Sequence, residues 1–349
     1  MFKKNIQKLS SISFIDNVEL PFYLLTLFEN IQFHLFTVAL QEIQLKISQL
    51  EVRLVQHRKM NRYSVIHIFL FLVYLLLYNE AKQYHAVVII HGVLTGSDSM
   101  ELISNRIQEM HPDTPIYNTV RFAGWSSLEP MWQQVEEIGM DVLSISAAFP
   151  EGINLIGYSQ GGLLARAILQ RFPMHNVRNF ISLSSPQAGQ YGTRFLHLIF
   201  PDLVCETAYE LFYSRLGQHT SIGNYWNDPH HQELYYKYSK FLPFVNNEIN
   251  LFNNSDYKTG LTKLKRMILI GGPDDGVITP WQSSHFGYYD NNNTVIDMRD
   301  RSIYKDDAIG LKTLDKQSKL EIITVPGIHH SEWHKNISIV DQFLLPYLD

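Results

Sequence analysis

The sequence predicts an α/β fold: a mostly parallel sheet with helices covering both faces. Three observations carry that reading. Short apolar runs alternate with helical periodicities from Ala86 to the C-terminus. A Gly-x-Ser-x-Gly pentapeptide, Gly157 to Gly161, joins one such run to a helical pattern. Two later runs end in loops that bear first carboxylates and then histidines.

Taken in order, AVVII (86–90) is an apolar run ending at His91-Gly92, as a buried parallel strand does where it meets its loop. MELISNRIQEM (100–110) has helical spacing, and PIYNTVRF (115–122) reads as a strand. LEPMWQQVEEIGMDVLSISAAF (128–149) again places apolar residues at helical intervals. INLIGY (153–158) is the next strand, GGLLARAILQRF (161–172) the next helix, and VRNFISLSS (177–185) another strand. The alternation lapses over about 187–262, which is aromatic-rich, glycine-punctuated and mixed in period. It resumes at MILIGG (267–272) and KLEIITVPG (319–327), and SIVDQFLLPYL (338–348) closes the chain as a helix. An insertion late in such a sheet, above the strand ends, is where a lid would sit.

Residues 60–81, MNRYSVIHIFLFLVYLLLYNEA, have the basic start, apolar centre and small-residue exit of a secretory signal peptide. The apolar run of roughly 14 residues is short of the ~20 that span a bilayer, so no stable span is expected once the signal is removed. Signal peptides begin chains, so Met60 is read as the physiological start and residues 1–59 as an upstream extension or artefact. The competing reading makes 30–58, amphipathic and free of Gly and Pro, a helical segment before a signal anchor. Residues 82–349 then form the catalytic domain. Three sequons, at Asn253, Asn292 and Asn336, fit a luminal location. The single cysteine, Cys205, excludes an intramolecular disulfide, and a net charge of −5 with mixed signs gives no reason to expect nucleic acid.

Gly157-x-Ser159-x-Gly161 fits a nucleophile elbow. A sharp turn lifts the serine into the cleft and leaves no room two residues to either side, which glycine provides. The helix after it aims its first amides at a developing oxyanion. Alone the pattern is weak; a strand before it and an amphipathic helix after it make it specific. The order expected next is acid, then histidine. GGPDDGVITPW offers Asp274 and Asp275 after one strand, and GIHHSEWH offers His329, His330 and His334 after the next. Pro-Asp-Asp-Gly is also good turn chemistry. The backbone N–H groups of Val93, beside Gly92, and Gln160 are the expected oxyanion donors. His330 and His334 have metal-like spacing, but no H-E-x-x-H signature or completing ligand accompanies them, so neither metal nor cofactor is expected. His230-His231 and Ser184-Ser185 read as loop hydrogen-bonders.

With His91-Gly92, GYSQGG, PDDG and GIHH in place, the chain resembles the palmitoyl-protein thioesterases, particularly the lysosomal second form. The resemblance runs from about Ala86 to the C-terminus, with longer matches at ISLSSPQAGQYG (181–192), NYWNDPHH (224–231), GGPDDGVITPWQSSHFGYYD (271–290) and GLKTL (310–314). It implies an α/β-hydrolase that cleaves long-chain acyl thioesters in the lysosome, either palmitoyl-CoA-like or S-palmitoyl. Carried onto these positions it makes Ser159 the nucleophile, Asp275 the acid and His330 the base. Vertebrate members carry several disulfides, one near the elbow; with Cys205 alone, packing must hold this elbow and lid. A lost staple costs about 2–5 kcal/mol in a small domain. The rival readings are a lipase or carboxylester hydrolase with the same triad, and a non-catalytic lipid-binding protein on this scaffold.

Overall fold

The computed structural model describes residues 84–192, 207–249 and 255–349. The segments 1–59 and 60–81, Cys205 and the sequon at Asn253 lie outside these residues. Among the described residues eight strands form, β1 (Ala86–Ile90), β2 (Ile116–Asn118), β3 (Ile153–Tyr158), β4 (Val177–Leu183), β5 (Arg266–Gly271), β6 (Tyr288–Tyr289), β7 (Val295–Ile296) and β8 (Leu320–Thr324). Six of them make one parallel sheet in the order β2-β1-β3-β4-β5-β8, and β6 and β7 pair as a small antiparallel ribbon.

The apolar runs become sheet because their alternate residues are buried on opposite faces. Val88 and Ile90 of β1 join Leu155, Phe180 and Leu269 in one core, while Val87 and Ile89 join Ile156, Ile181 and Ile268 in the other. Both faces are covered, as parallel sheets require. Helix α1 (Glu101–Met110) and the C-terminal turns cover the second face, tied together by a bidentate bond from Arg106 to Asp341 at 2.7 and 2.8 Å. Helices α2 (Met131–Ala148) and α3 (Gln160–Arg171) cover the first.

The chain runs outward from β1 to β2, then crosses to β3 on the other side of β1. Strand order reverses there, so the crevice over the carboxyl ends of β1 and β3 is where this topology places a ligand. Register sets the two loops side by side, with Ile90 opposite Gly157, so that His91-Gly92 stands next to Tyr158-Ser159.

Between β4 and β5 the described residues form short helices, Ala208–Phe212, Ser221–Tyr225, Gln232–Tyr238 and Leu242–Val245, before Ser255–Thr262 leads to β5. They are tied into the main body. Asn224 accepts from Met131 N–H at 2.9 Å, satisfying a donor that the first turn of α2, preceded by Pro130, cannot satisfy itself.

Two elements differ from the sequence reading. The strand expected over 115–122 is confined to Ile116–Asn118: Thr119 N–H still bonds Ile89 O, but Phe122 takes a left-handed φ of 55° and the chain leaves the sheet. The closing helix is divided into Ile337–Ile339, a wide π turn at Val340–Leu344 and a tight turn at Leu345–Tyr347. Pro346 has no N–H to continue an α-helical ladder.

Candidate active site

Ser159 sits at the end of β3 with φ 54° and ψ −126°, a conformation that a non-glycine residue holds only where its surroundings impose it. The glycines explain how. A Cβ on Gly157 would lie 2.4 Å from Gly162 Cα, and one on Gly161 2.3 Å from Ile90 O. Side chains at either position would force the elbow away from α3 or from β1. Ser159 itself is buried but reaches a cavity of about 770 Å³.

His330 closes on the serine from the loop after β8, with Nε2 2.9 Å from Ser159 Oγ. Its Nδ1 lies 2.8 and 3.0 Å from the two oxygens of Asp275. Since a carboxylate only accepts, Nδ1 carries the proton and Nε2 accepts from the serine hydroxyl. Asp274 and His329 are turned elsewhere. The carboxylate of Asp274 accepts from Gly327 N–H at 2.7 Å, and His329 Nδ1 lies 3.0 Å from Asp274 O. Each pair that the residues alone left open is thus divided by geometry, one member facing Ser159 and the other bracing the loop.

Asp275 is 2% exposed and collects donors on both oxygens. Val277 and Ile278 N–H donate to Oδ1 at 3.1 and 2.8 Å; Ser184 Oγ at 2.5 Å and Trp333 Nε1 at 2.7 Å donate to Oδ2. Burial pushes the carboxyl up, but the hydrogen bond and charge of His330, with Ser184 and Ile278, outweigh it and hold it below the usual aspartate range. Ser184, expected to be a loop hydrogen-bonder, has this carboxylate as its partner, and Trp333 adds a donor to which none of the motifs points. The signals are positional: Ser184 directly follows β4, the neighbour of β5, whose loop carries Asp275, and Trp333 follows His330 by one turn.

Val93 lines the cavity, and a Cβ on its neighbour Gly92 would meet Ser159 Cβ at 3.1 Å, so the loop after β1 lies against the serine. Gln160 opens α3, its side chain donating to Ser127 O at 2.8 Å. Tyr158 donates to His330 O at 2.8 Å, and its ring packs on those of His330 and His334. His231 bonds Asp228 at 2.9 Å within the insertion. Asn292 is exposed in the turn between β6 and β7, whereas Asn336 accepts from Ser338 N–H as a helix cap.

An elbow serine at the switch point of a parallel sheet, with a histidine and a buried carboxylate in line behind it, belongs to the α/β-hydrolase fold. The palmitoyl protein thioesterase family matches residues 86–330, and the chain belongs to it. It is 54% identical over 266 residues to the lysosomal thioesterase PPT2 homolog of Drosophila melanogaster, covering 76% of this chain and 92% of that protein. It is 43% identical over 267 residues to the lysosomal thioesterase PPT2 of Homo sapiens, covering 76% and 88%. Among solved structures, the naproxen esterase of Bacillus subtilis matches 77% of this chain and 85% of that chain at 13% identity, with a TM-score of 0.42.

Proposed function

We propose that this protein hydrolyses long-chain acyl thioesters through an acyl-serine intermediate on Ser159. The observation that carries the reading is the 2.9 Å approach of His330 Nε2 to Ser159 Oγ, backed by Asp275, in a chain of the palmitoyl protein thioesterase family.

His330 takes the hydroxyl proton as Ser159 attacks the acyl carbonyl, and the amides of Val93 and Gln160 receive the oxyanion. The C–S bond breaks, and the sulfur leaves with the proton from His330. Water then loses a proton to His330 and attacks the acyl-serine; the fatty acid departs and Ser159 regains its proton. Asp275 keeps the imidazole in the tautomer that can do this and stabilises the imidazolium. The apolar wall of the cavity, Pro186, Tyr225, Val277 and Ile278, suits an acyl chain, each buried CH₂ contributing about 0.8 kcal/mol. Tyr225 comes from the insertion over 187–262, which serves as the lid.

The relatives' names point to the lysosome, in keeping with a signal peptide at 60–81 and a glycan at Asn292. Among the described residues no helix is long and apolar enough to cross a membrane.

The test is turnover of palmitoyl-CoA against a palmitoyl ester by the full chain and its Ser159→Ala variant. Thioester turnover is expected to exceed ester turnover and to vanish with the hydroxyl, and a fluorophosphonate is expected to label Ser159. Preference for the ester would make the protein a lipase or carboxylester hydrolase, and failure of the label would leave a lipid-binding scaffold.

A further inference from the structure

The cavity over Ser159 has two unlike walls. The apolar wall comes from the loops after β4 and β5 and from the insertion. The other lining residues include Ser99, which precedes α1, and Ser331, His334 and Lys335, which follow His330 on the loop after β8. This second group is polar, and the elements on either side of it, α1 and the C-terminal turns, are joined by the Arg106–Asp341 pair.

His334 is the unusual member. It is 4% exposed, lines the cavity and packs on the Tyr158 ring at 4.5 Å. No hydrogen bond from either ring nitrogen is seen among the described residues, and Nδ1 is fully buried. Nδ1 is closed off from solvent, so the nitrogen a ligand can meet is Nε2, whose hydrogen bond no described protein group supplies. Burial, then Lys335 and His330, push its pKa down to about 4, so the ring stays neutral and Nε2 donates or accepts according to the tautomer.

The mechanism says which part of a substrate arrives there. The departing sulfur must stand beside His330 Nε2 to receive its proton. Groups attached to that sulfur therefore meet the loop that carries His330, and the acyl chain takes the apolar wall. Resting on the acyl-thioester reading above, we propose that His334 forms a leaving-group subsite that hydrogen-bonds an amide two carbons from the sulfur. Cysteamine-type thiols and cysteine in a peptide share this S–C–C–N arrangement, so one imidazole serves either source.

The experiment compares three palmitoyl thioesters on the full chain: those of N-acetylcysteamine, of N-acetylcysteine methylamide, and of 2-methoxyethanethiol. The last keeps an electron-withdrawing atom at the same position but has no amide. The amide-bearing thioesters are expected to show about tenfold higher kcat/KM, the worth of one hydrogen bond of 1.4 kcal/mol. Preference for either amide supports the subsite, and the larger ratio names the source. In His334→Phe, which keeps a ring on Tyr158, the ratio is expected to fall toward one; His334→Gln, with a donor and an acceptor, is expected to retain part of it. Equal turnover of all three substrates by the wild type overturns the proposal, whether or not the variants fold. So does an unchanged ratio in a His334→Phe protein whose thermal transition shows it folded. Absence of turnover on every thioester is a different result, and sinks the acyl-thioester reading itself.

Discussion

Asp275 is the residue in which burial and hydrogen bonding pull hardest against each other. A carboxyl at 2% exposure would ordinarily move toward its neutral form, yet four donors besides His330 reverse the direction. The charge that steadies His330 thus depends on Ser184 and Trp333 as well as on the acid. Hydrogen bonds to charged groups contribute about 1.5–3 kcal/mol, so Ser184→Ala and Trp333→Phe are each expected to lower kcat by roughly tenfold or more. Removing a donor also makes the carboxylate a stronger partner for the His330 proton, so the acidic limit of the rate profile should move to higher pH in both variants. Kinetics with palmitoyl-CoA across pH would check this; an unmoved acidic limit would reduce the two residues to packing. The elbow at Ser159 was legible because it needs a local pattern, glycine on both sides and a strand and helix around it. Choosing Asp275 over Asp274 was not legible from the residues alone, because the two differ only in which way a loop turns. Ser184 lies 91 positions from Asp275, and no spacing rule connects them.

Among the elements, α3 follows the Ser159 elbow and carries the anchor of the insertion on the same dozen residues. Arg166 is fully buried there, with no carboxylate among the described residues bonded to it directly. Its guanidinium donates to Gln187 Oε1 and O at 2.8 and 2.9 Å, to Asn246 Oδ1 at 3.0 Å and to Val245 O at 3.2 Å. Burial lowers its pKa to about 9, opposed by the nearby Glu248, so it remains charged. One side chain therefore joins α3 to the loop after β4 and to the end of the insertion's helices. Replacing it by Met would leave several buried acceptors without a donor, and a loss of about 3 kcal/mol or more is expected from the midpoint of urea unfolding. A loss under 1 kcal/mol would mean that packing alone seats the insertion. The helical pattern of 161–172 was readable from its apolar spacing, but that Arg166 faces inward was not, since arginine is seldom buried. The same limit explains β2 and the C-terminal turns. Apolar alternation marks where a strand can form, and a backbone turn at Phe122 or a proline at 346 decides where it stops.

At the scale of the whole molecule, pH acts chiefly through the three buried histidines that, among the described residues, are pushed furthest down. His175 bonds Gly260 O through Nε2 at 2.9 Å and accepts from Val177 N–H at Nδ1, so a second proton would face a donor. His285 Nε2 bonds Ile323 O at 3.1 Å beside β8, and His334 lines the cavity. Burial is the leading cause in all three, and each is pushed down to about 4. The sign follows from the unfolded chain, in which a histidine binds its proton near pH 6.5. Between 6.5 and 4 the unfolded state holds more protons than the folded one, so stability falls as pH falls. Each unit of pH is worth up to about 1.4 kcal/mol per histidine, or roughly 2 kcal/mol each at pH 5. Glu248 works the other way. Burial raises its carboxyl, and its favourable share is present at low pH and lost as pH rises through its folded value. Asp275, held low, begins to lose its share only below the ordinary aspartate value near 4. Three histidines against one glutamate decide the direction over the range from 6.5 to 5. The thermal midpoint is expected to drop by roughly 10 °C on that acidification, at a few degrees per kcal/mol for a unit of this size. His285→Gln keeps an N–H for Ile323 O without a titrating ring, and should make the slope shallower by about a third. A midpoint that holds level from pH 6.5 to 5, or a variant slope equal to that of the wild type, would show that these rings take up protons without unfolding the chain. For an enzyme placed in an acidic lumen, the histidines would then be tolerated by local opening, and hydrogen exchange near Gly260 and Ile323 would rise with acid in place of global unfolding.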